Sequence, residues 1–594
     1  MKRIRLVTYV LMVFMVSMVG AKEKEKKIRI EAVRFEGNAT YSDKKLIKLF
    51  ISRPSSFFHR TVYREPLLKD DLEALKAFYL QKGFLDMQIS SWQVVADSAR
   101  DAVSIDIRLE EGLSYTLEDV AFLGNTTFSD SMLLSVSRLK PGAVFREADI
   151  QAATMKLLQH YADFGYLDAS IKPDVRIYRD VFRVLVDYEI LEKQPYVIGT
   201  SLVQGYERTR PRTILRELAF KTGDVANYSK IIQSQRKIYL TGLFDRVFLR
   251  TRPSTIDSLH KDILVEVKEH AAGEFSASLG FGSEDKIRSK LELSHQNIQG
   301  AARKAGLTVH ASFIRWGGEV SFSDPWFLGV PLQLDMNLLS EYLEEPGYRL
   351  YRSGGQLALG RSLSERSRLV MTYKRNWTRL KEVKTEEIPE KLKNNQNSLS
   401  LKFIYDSRDN LFNPTKGFYW ECQQEFGGNF TVHLNRFYRT LMRVKVFQTL
   451  GNRIAFGSSL EMGWMTSASG IDGVPLHERF YTGGPNSIRG FRYQRVGPSD
   501  ANHVPTGGMV ECVWNVAEIR RSIYKNVGLA LFLDAGNVWS SEDDVNDLKL
   551  RYSPGFGFRM DTVLGLARLD LGWNLDRRSY EPGMRVYFSM GQAF

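Results

Sequence analysis

Residues Gly273–Gly282 read GEFSASLGFG, and this stretch decides what the second half of the chain is. Successive side chains of a strand point to opposite faces, so Phe275, Ala277, Leu279 and Phe281 fall on one side and Ser276, Ser278 and Gly280 on the other. The pattern returns in VGLALFLDAG, where Val527, Leu529, Leu531 and Leu533 alternate with Gly528, Ala530, Phe532 and Asp534. It closes the chain, where Met584, Val586, Phe588, Met590 and Phe594 alternate with Arg585, Tyr587, Ser589, Gly591 and Ala593. Between Ala271 and Phe594 about sixteen such segments follow one another, separated by turns. One apolar and one polar face, repeated this often, is what lipid outside and water inside require of a strand. A closed barrel is the sheet that spans lipid without bare edges. A soluble sandwich needs a shared dry core, for which the alternation supplies too few partners. Trp316, Trp326, Trp377, Trp420, Trp539 and Trp573 stand near strand ends, where interfacial girdles form.

Upstream, from Lys27 to His270, the chain repeats itself with starts about 87 and 81 residues apart. The three units open IEAVRFEGNATYSDKKLIKLF, LEDVAFLGNTTFSDSMLLSVS and VIGTSLVQGYERTRPRTILREL. Each reads as a strand, a glycine turn and a helix start, with Ser42 and Ser129 at the cap position of the first two and an acid next to each. A second helical pattern ends at Gly83, Gly165 and Gly242, where a left-handed residue terminates it. Two alternating segments complete each unit, giving an α+β layer pair. The third unit departs from the first two by carrying Gly205-Tyr206 in place of Gly-Asn.

The extreme N-terminus carries Lys2, Arg3 and Arg5, an apolar run from Leu6 to Val19, and Gly20-Ala21 before KEKEKK, which is the plan of a secretory signal over residues 1–21. Beyond it no apolar run is long enough for a spanning helix, and the mean hydropathy of −0.27 is too polar for a helical membrane protein. Cys422 and Cys512 offer neither metal spacing nor a disulfide framework and are expected as free thiols. The net charge of +13 is dispersed and accompanies no nucleic-acid reading motif. There is no phosphate-binding loop, no His-Glu-x-x-His and no Gly-x-Ser-x-Gly turn, so neither a cofactor nor bond chemistry is expected.

Residues 479–493, RFYTGGPNSIRGFRY, hold too many turn residues for a strand and too many large side chains for a solvated loop. They read as a loop that folds back, with Ile488, Arg489, Gly490 and Phe491 as its working part. Gly490 lets the backbone approach a wall, and Arg489 needs carboxylates nearby.

The repeats resemble POTRA domains, periplasmic modules that bind extended polypeptide by strand addition to a sheet edge. The whole mature chain resembles the BamA/TamA superfamily of outer-membrane assembly and translocation proteins. The sharpest match is Ile488-Arg489-Gly490-Phe491, similar to the family motif on the sixth extracellular loop, which folds into the lumen. A second is YDSRDNLFNPTKGFYW, with Asp406, Arg408, Asp409, Pro414 and Gly417 in the family's order; LFLDAGNVW and the terminal YFSMGQAF are the others. The resemblance implies three POTRA repeats (27–112, 113–193 and 194–270) and a sixteen-stranded antiparallel transmembrane barrel (271–594) in the outer membrane. Strand parity places Asp534 on a polar face and Glu511 with Val513 and Asn515, opposite Val510, Cys512 and Trp514. Both acids match lumenal acids of the family, and the expected cluster is Arg489 with Glu511 and Asp534.

Glycines mark both strands that must close the ring: Gly280 and Gly282 on the first, and Gly591, near the terminal Phe594, on the last. They either weaken a lateral seam or make room for the loop. The leading functional reading is an insertase that captures unfolded outer-membrane or secreted polypeptide and passes it through that seam into lipid. Three repeats point to the TamA type, implying a TamB-like inner-membrane-anchored partner, whereas BamA-type general assembly factors usually carry five. A two-partner exporter and a passive porin are the other readings. The porin leaves the repeats unexplained.

Overall fold

The computed structural model describes residues 28–590 apart from 56–60, 98–100, 256, 387–391, 412, 430–435, 452–453, 525, 542–543, 546–548 and 563–564. The expected signal segment, Gly591 and Phe594 therefore lie outside the described residues.

Each repeat forms a three-stranded sheet whose third strand is central. In the first, Ala102–Glu110 lies between Arg29–Glu36, parallel to it, and Gln88–Asp97, antiparallel to it. The second repeats this with Arg183–Leu191 between Thr116–Leu123 and Ser170–Tyr178, and the third orders Val197–Gln204, His260–Glu269 and Phe244–Pro253 likewise. The helix Glu147–Asp163 buries Ile150, Ala153, Leu157 and Tyr161, a three-and-four spacing that makes one apolar stripe. That stripe packs on Val184, Val186, Tyr188 and Ile190, the alternate residues of the central strand. Burying this many large side chains at about 1.5–3 kcal/mol each is what holds so small a module together.

The glycine turn is closed by an acid from the end of the central strand. Gly37, Gly124 and Gly205 have φ of +90°, +85° and +84°, and a Cβ on them would meet the carbonyl oxygen of Leu109, Ile190 or Val267 at 2.0, 2.4 or 2.2 Å. Next to each carbonyl strand lies the closing carboxylate. Glu111 accepts from the Thr40 N–H (2.9 Å) and the Tyr79 hydroxyl (2.6 Å); Glu192 accepts from the N–H groups of Thr126 (2.8 Å) and Thr127 (3.0 Å) and the Tyr161 hydroxyl (2.9 Å). Glu269 accepts from the N–H groups of Glu207, Arg208 and Thr209. The third turn thus keeps the glycine and the acid and loses the asparagine brace, which in the others ties Asn38 to Asp43 and Asn125 to Asp130, and the tyrosine donor, whose place four residues before Gly242 is taken by Ile238. Of the two expected serine caps, Ser129 accepts from the Met132 N–H at 3.4 Å, while Ser42 occupies the cap position without a side-chain bond.

Between the first and second repeats, the Tyr115 hydroxyl donates to Asp86 at 2.5 Å and Arg179 pairs with the same acid. Between the second and third, the Tyr196 hydroxyl donates to Asp168 at 2.8 Å and Lys261 pairs with it at 2.9 Å. The two joints use one plan: an acid three residues after the helix-ending glycine, a tyrosine opening the next repeat, and a cation from further along.

Sixteen antiparallel strands, from Gly273–Gly282 to Met584–Met590, close into a barrel. Phe275 and Leu279 are 68% and 70% exposed on its outer face, while Ala530, Phe532 and Asp534 are buried inside, as the alternation requires. Trp316, Trp377 and Trp573 are exposed, but Trp539, expected in a girdle, is buried. Cys422 and Cys512 lie on the ninth (Gly417–Gly428) and twelfth (Val510–Tyr524) strands as free thiols. Among the described residues no helix is long and apolar enough to cross a membrane.

Candidate functional site

The chain between the eleventh strand, Ile454–Thr466, and the twelfth does not stay at the rim. Gly483 and Gly484, both at φ +107°, turn it, and a tight turn from Ile488 to Phe491 presents the arginine. Ile488, Arg489 and Phe491 are all buried. Burying a guanidinium is costly unless its donors are met by charge, and here they are. Nε and Nη2 of Arg489 fork onto the two oxygens of Asp534 at 2.7 Å each, and its backbone N–H adds a third bond to that carboxylate at 3.1 Å. Nη1 donates to Glu518 at 2.7 Å and lies 4.0 Å from Asp570. The guanidinium carbon sits 3.4 Å from the ring centroid of Phe532. Asn515 donates to both Asp534 (2.9 Å) and the Ser487 carbonyl (3.0 Å), bracing acid and loop together.

Gly490 has no space for a side chain: a Cβ would stand 2.4 Å from the Ser553 Oγ and 2.7 Å from the Trp573 carbonyl oxygen. A Cβ on Gly572, in the fifteenth strand (Gly565–Trp573), would meet the Arg489 backbone at 2.8 Å. Phe491 lies under the Arg551 guanidinium, 4.4 Å from its ring centroid, and its carbonyl accepts from the Tyr587 hydroxyl of the last strand at 2.5 Å. The loop motif thus rests on strands twelve to sixteen.

Glu511 is a correction. It does lie on the inner side of the twelfth strand, but it pairs in register with Val538, four residues from Asp534 along the thirteenth strand, Val527–Trp539. At about 3.4 Å per residue this is some 14 Å away from the arginine. The second acid is Glu518, which parity alone assigns to the lipid face. A β-bulge between Asn515 and Ala517 inserts Val516 and reverses the alternation. Before the bulge Trp514 is exposed outward; after it Ile519 is. Glu518, Asn515 and Asp570 were therefore missed by the sequence reading, as was Tyr587. Only the recurring small-residue pattern opposite them, Gly555, Gly557 and Gly572, hints that something packs there.

The second motif closes the turn after the eighth strand, Lys393–Asp406. Arg408 pairs with Asp406 at 2.7 Å, and Asp409 accepts from Thr415 (Oγ1, 2.6 Å; N–H, 2.8 Å) and from the Lys416 N–H (3.1 Å). Gly417 takes φ +114°, where a Cβ would meet the Ser407 carbonyl oxygen at 2.4 Å, and the Pro414 carbonyl accepts from Arg520. These residues shape a turn and do not reach the Arg489 cluster's acids.

At the ring closure the first strand, Gly273–Gly282, pairs with its second-strand neighbour over ten residues and, among the described residues, with the last strand at Phe281↔Met590 and Gly282↔Ser589. Ser283 adds a backbone bond to the Phe588 carbonyl at 2.9 Å. A Cβ on Gly280 would meet the Arg288 side chain at 2.7 Å and the Met590 carbonyl oxygen at 3.0 Å, and one on Gly282 would meet Asp285 at 2.7 Å.

The Omp85 superfamily domain matches residues 297–594, and the POTRA model, described as a surface antigen variable number repeat, matches 28–112, 115–193 and 196–270. The chain is 27% identical over 592 residues to the outer membrane protein assembly factor BamA of Nitratidesulfovibrio vulgaris, covering 96% of this chain and 74% of that one. It is 21% identical over 642 residues to BamA of Neisseria meningitidis serogroup B, covering 96% and 79%. The crystal structure of BamA from Haemophilus ducreyi lacking POTRA domains 1–3 has the same fold, with a TM-score of 0.66 at 17% identity over 80% of this chain and 99% of that one. These relatives carry the BamA description, not the TamA one expected from three repeats. With its barrel in the outer membrane and its repeats in the periplasm, this chain belongs to the Omp85 superfamily.

Proposed function

We propose that this chain is a BamA-type assembly factor: it takes unfolded outer-membrane proteins from the periplasm and inserts them into the outer membrane through the seam between its first and last barrel strands. The observation that carries this reading is the family architecture, an Omp85 superfamily barrel preceded by three POTRA repeats, in a chain whose relatives are described as assembly factors. In this reading the first barrel strand, Gly273–Gly282, once parted from the last, is a strand edge on which an incoming strand pairs its backbone. The open edges of the repeats, such as Gln88–Asp97, serve the same chemistry earlier on the route. The folding of the client itself supplies the free energy. The BamA description of the relatives favours this general role, and without the TamA subdivision the expectation of a TamB-like partner has nothing to rest on.

The test is depletion of the native protein with complementation by a Gly282→Cys/Ser589→Cys variant, read by quantitative outer-membrane proteomics. Broad loss of barrels on depletion, rescued by the variant only under reducing conditions, is the expected outcome. Loss confined to one or two surface proteins would put a specialised exporter or TamA-like role in its place. Full rescue by completely crosslinked protein would refute the seam.

A further inference from the structure

Two adjoining cavities of 310 and 530 Å³ open beneath the pinned loop, sharing Arg489, Glu518, Arg520 and Arg568 in their lining. Lys445 and Arg408 line one, and Arg559 the other together with the exposed Arg521. Arg521 aside, these six cations meet four carboxylates within 4.0 Å among the described residues: Asp406, Glu518, Asp534 and Asp570. The acids are already engaged, Asp406 by Arg408, Asp534 by Arg489, and Asp570 by Arg559 at 2.6 Å.

The surplus is specific. Among the described residues no carboxylate lies within 4.0 Å of Lys445 or Arg568. Arg568 is instead held by neutral oxygens: its Nε donates to the Ser589 Oγ at 2.8 Å and its Nη2 to Asn486. Arg520 is held by the Asn413 side chain at 2.6 Å and the Pro414 carbonyl, and its buried Nε has no hydrogen-bond partner, Glu518 standing off at 3.9 Å. Lys445, Arg520 and Arg568, on the tenth (Phe437–Leu450), twelfth and fifteenth strands, face one space from different walls.

We propose that this space binds a phosphate-bearing anion. A surplus of two positive charges matches the charge of about −1.5 to −2 on a phosphate monoester better than that of one carboxylate. Donors converging from three walls suit a tetrahedral group rather than a planar one. Arg568 is three residues into its strand from the periplasmic turn, about 10 Å above it, and its Ser589 partner pairs with Gly282 across the seam. A phosphate reaches it from the periplasm as a soluble ion or, through the parted seam, as the head group of a membrane lipid.

The experiment uses the full chain in a sugar detergent, stripped of lipid, with binding of phosphatidic acid, whose head group is a phosphate monoester, read by native mass spectrometry. Inorganic phosphate is the competitor. The expected result is one saturable lipid per chain, displaced by phosphate, weakened about tenfold or more by Lys445→Gln and by Arg568→Gln, and partly regained in Arg568→Lys. Phosphate binding with the same dependence on the variants, but no lipid binding, assigns the site to a soluble phosphate and also supports it. Binding of a peptide only when its C-terminal carboxylate is free, with no effect of phosphate, overturns the proposal in favour of a polypeptide end. Binding unchanged in both variants, or absent with both probes, overturns it outright. Heat-modifiable gel mobility confirms the barrel in each variant, and Lys445→Gln, which breaks no ion pair, keeps the test decisive if Arg568→Gln fails to fold.

Discussion

The Arg489 cluster allows its two hydrogen-bonded acids to be ranked. Asp534 is fully buried and makes two charge-assisted bonds to the guanidinium and one to the backbone of the loop. Asp534→Ala leaves a buried guanidinium with Glu518 alone, and breaking a buried pair in this way costs about 3–5 kcal/mol. Glu518 gives one bond and is a quarter exposed, so Glu518→Gln costs on the order of 1–2 kcal/mol. Glu511→Gln leaves the loop in place, because that acid is not a partner. Tryptic cleavage at Arg489, Arg492 and Arg495 in the folded, detergent-solubilised chain reports the released population when reclosing outpaces cutting. At 1.4 kcal/mol per factor of ten, Asp534→Ala raises the cleavage rate about 100- to 3000-fold and Glu518→Gln about 5- to 30-fold. A Glu511→Gln variant as sensitive as Asp534→Ala, or an Asp534→Ala variant as resistant as the native chain, would refute this account of the cluster.

Gly490→Ala places a methyl against the Trp573 carbonyl and displaces the loop with every ion-pair partner still present, so its cleavage rate approaches that of Asp534→Ala. In the second repeat, burial works against ionisation of Glu192, but the bonds from Thr126, Thr127 and Tyr161 outweigh it and bring the carboxyl from 4.5 down to about 2. A carboxyl lowered by folding stabilises fully above its unfolded value and loses that contribution as pH falls from about 4.5 towards 2. Amide exchange at Thr126 and Thr127, corrected for intrinsic rate, therefore accelerates over that window, and Glu192→Gln removes the pH dependence. Ser129→Ala destabilises its helix by about 0.5–1 kcal/mol whereas Ser42→Ala is near neutral, which local exchange rates in the two helices distinguish.

The sequence carries the architecture because period-2 alternation and the glycine-ended helical stripes are local signals, written several times over. Arg489, Gly490 and Asp534 were legible for the same reason: a turn-rich loop with one cation, and an acid on a clean polar face. Glu518 was not, since a bulge is a property of how two strands pair and leaves no mark on either alone. The closing acids Glu111, Glu192 and Glu269 recur at one position of each repeat and were there to be read. Their role emerges only when the strand end meets the glycine turn some 70 residues earlier.

The residue inserted at Val516 works as a shift of reading frame within one strand. Deleting it would change the length by one and the composition hardly at all. Everything after it would then be read in the other phase, with Glu518 and Arg520 turned towards acyl chains and Ile519 towards water. Placing an arginine on the lipid face costs about 2–4 kcal/mol at the midplane, less near the interfaces, and the loop would lose its second acid in the same stroke. A single apolar residue with no charge and no contact to Arg489 thus determines which residues below it belong to the membrane and which to the lumen.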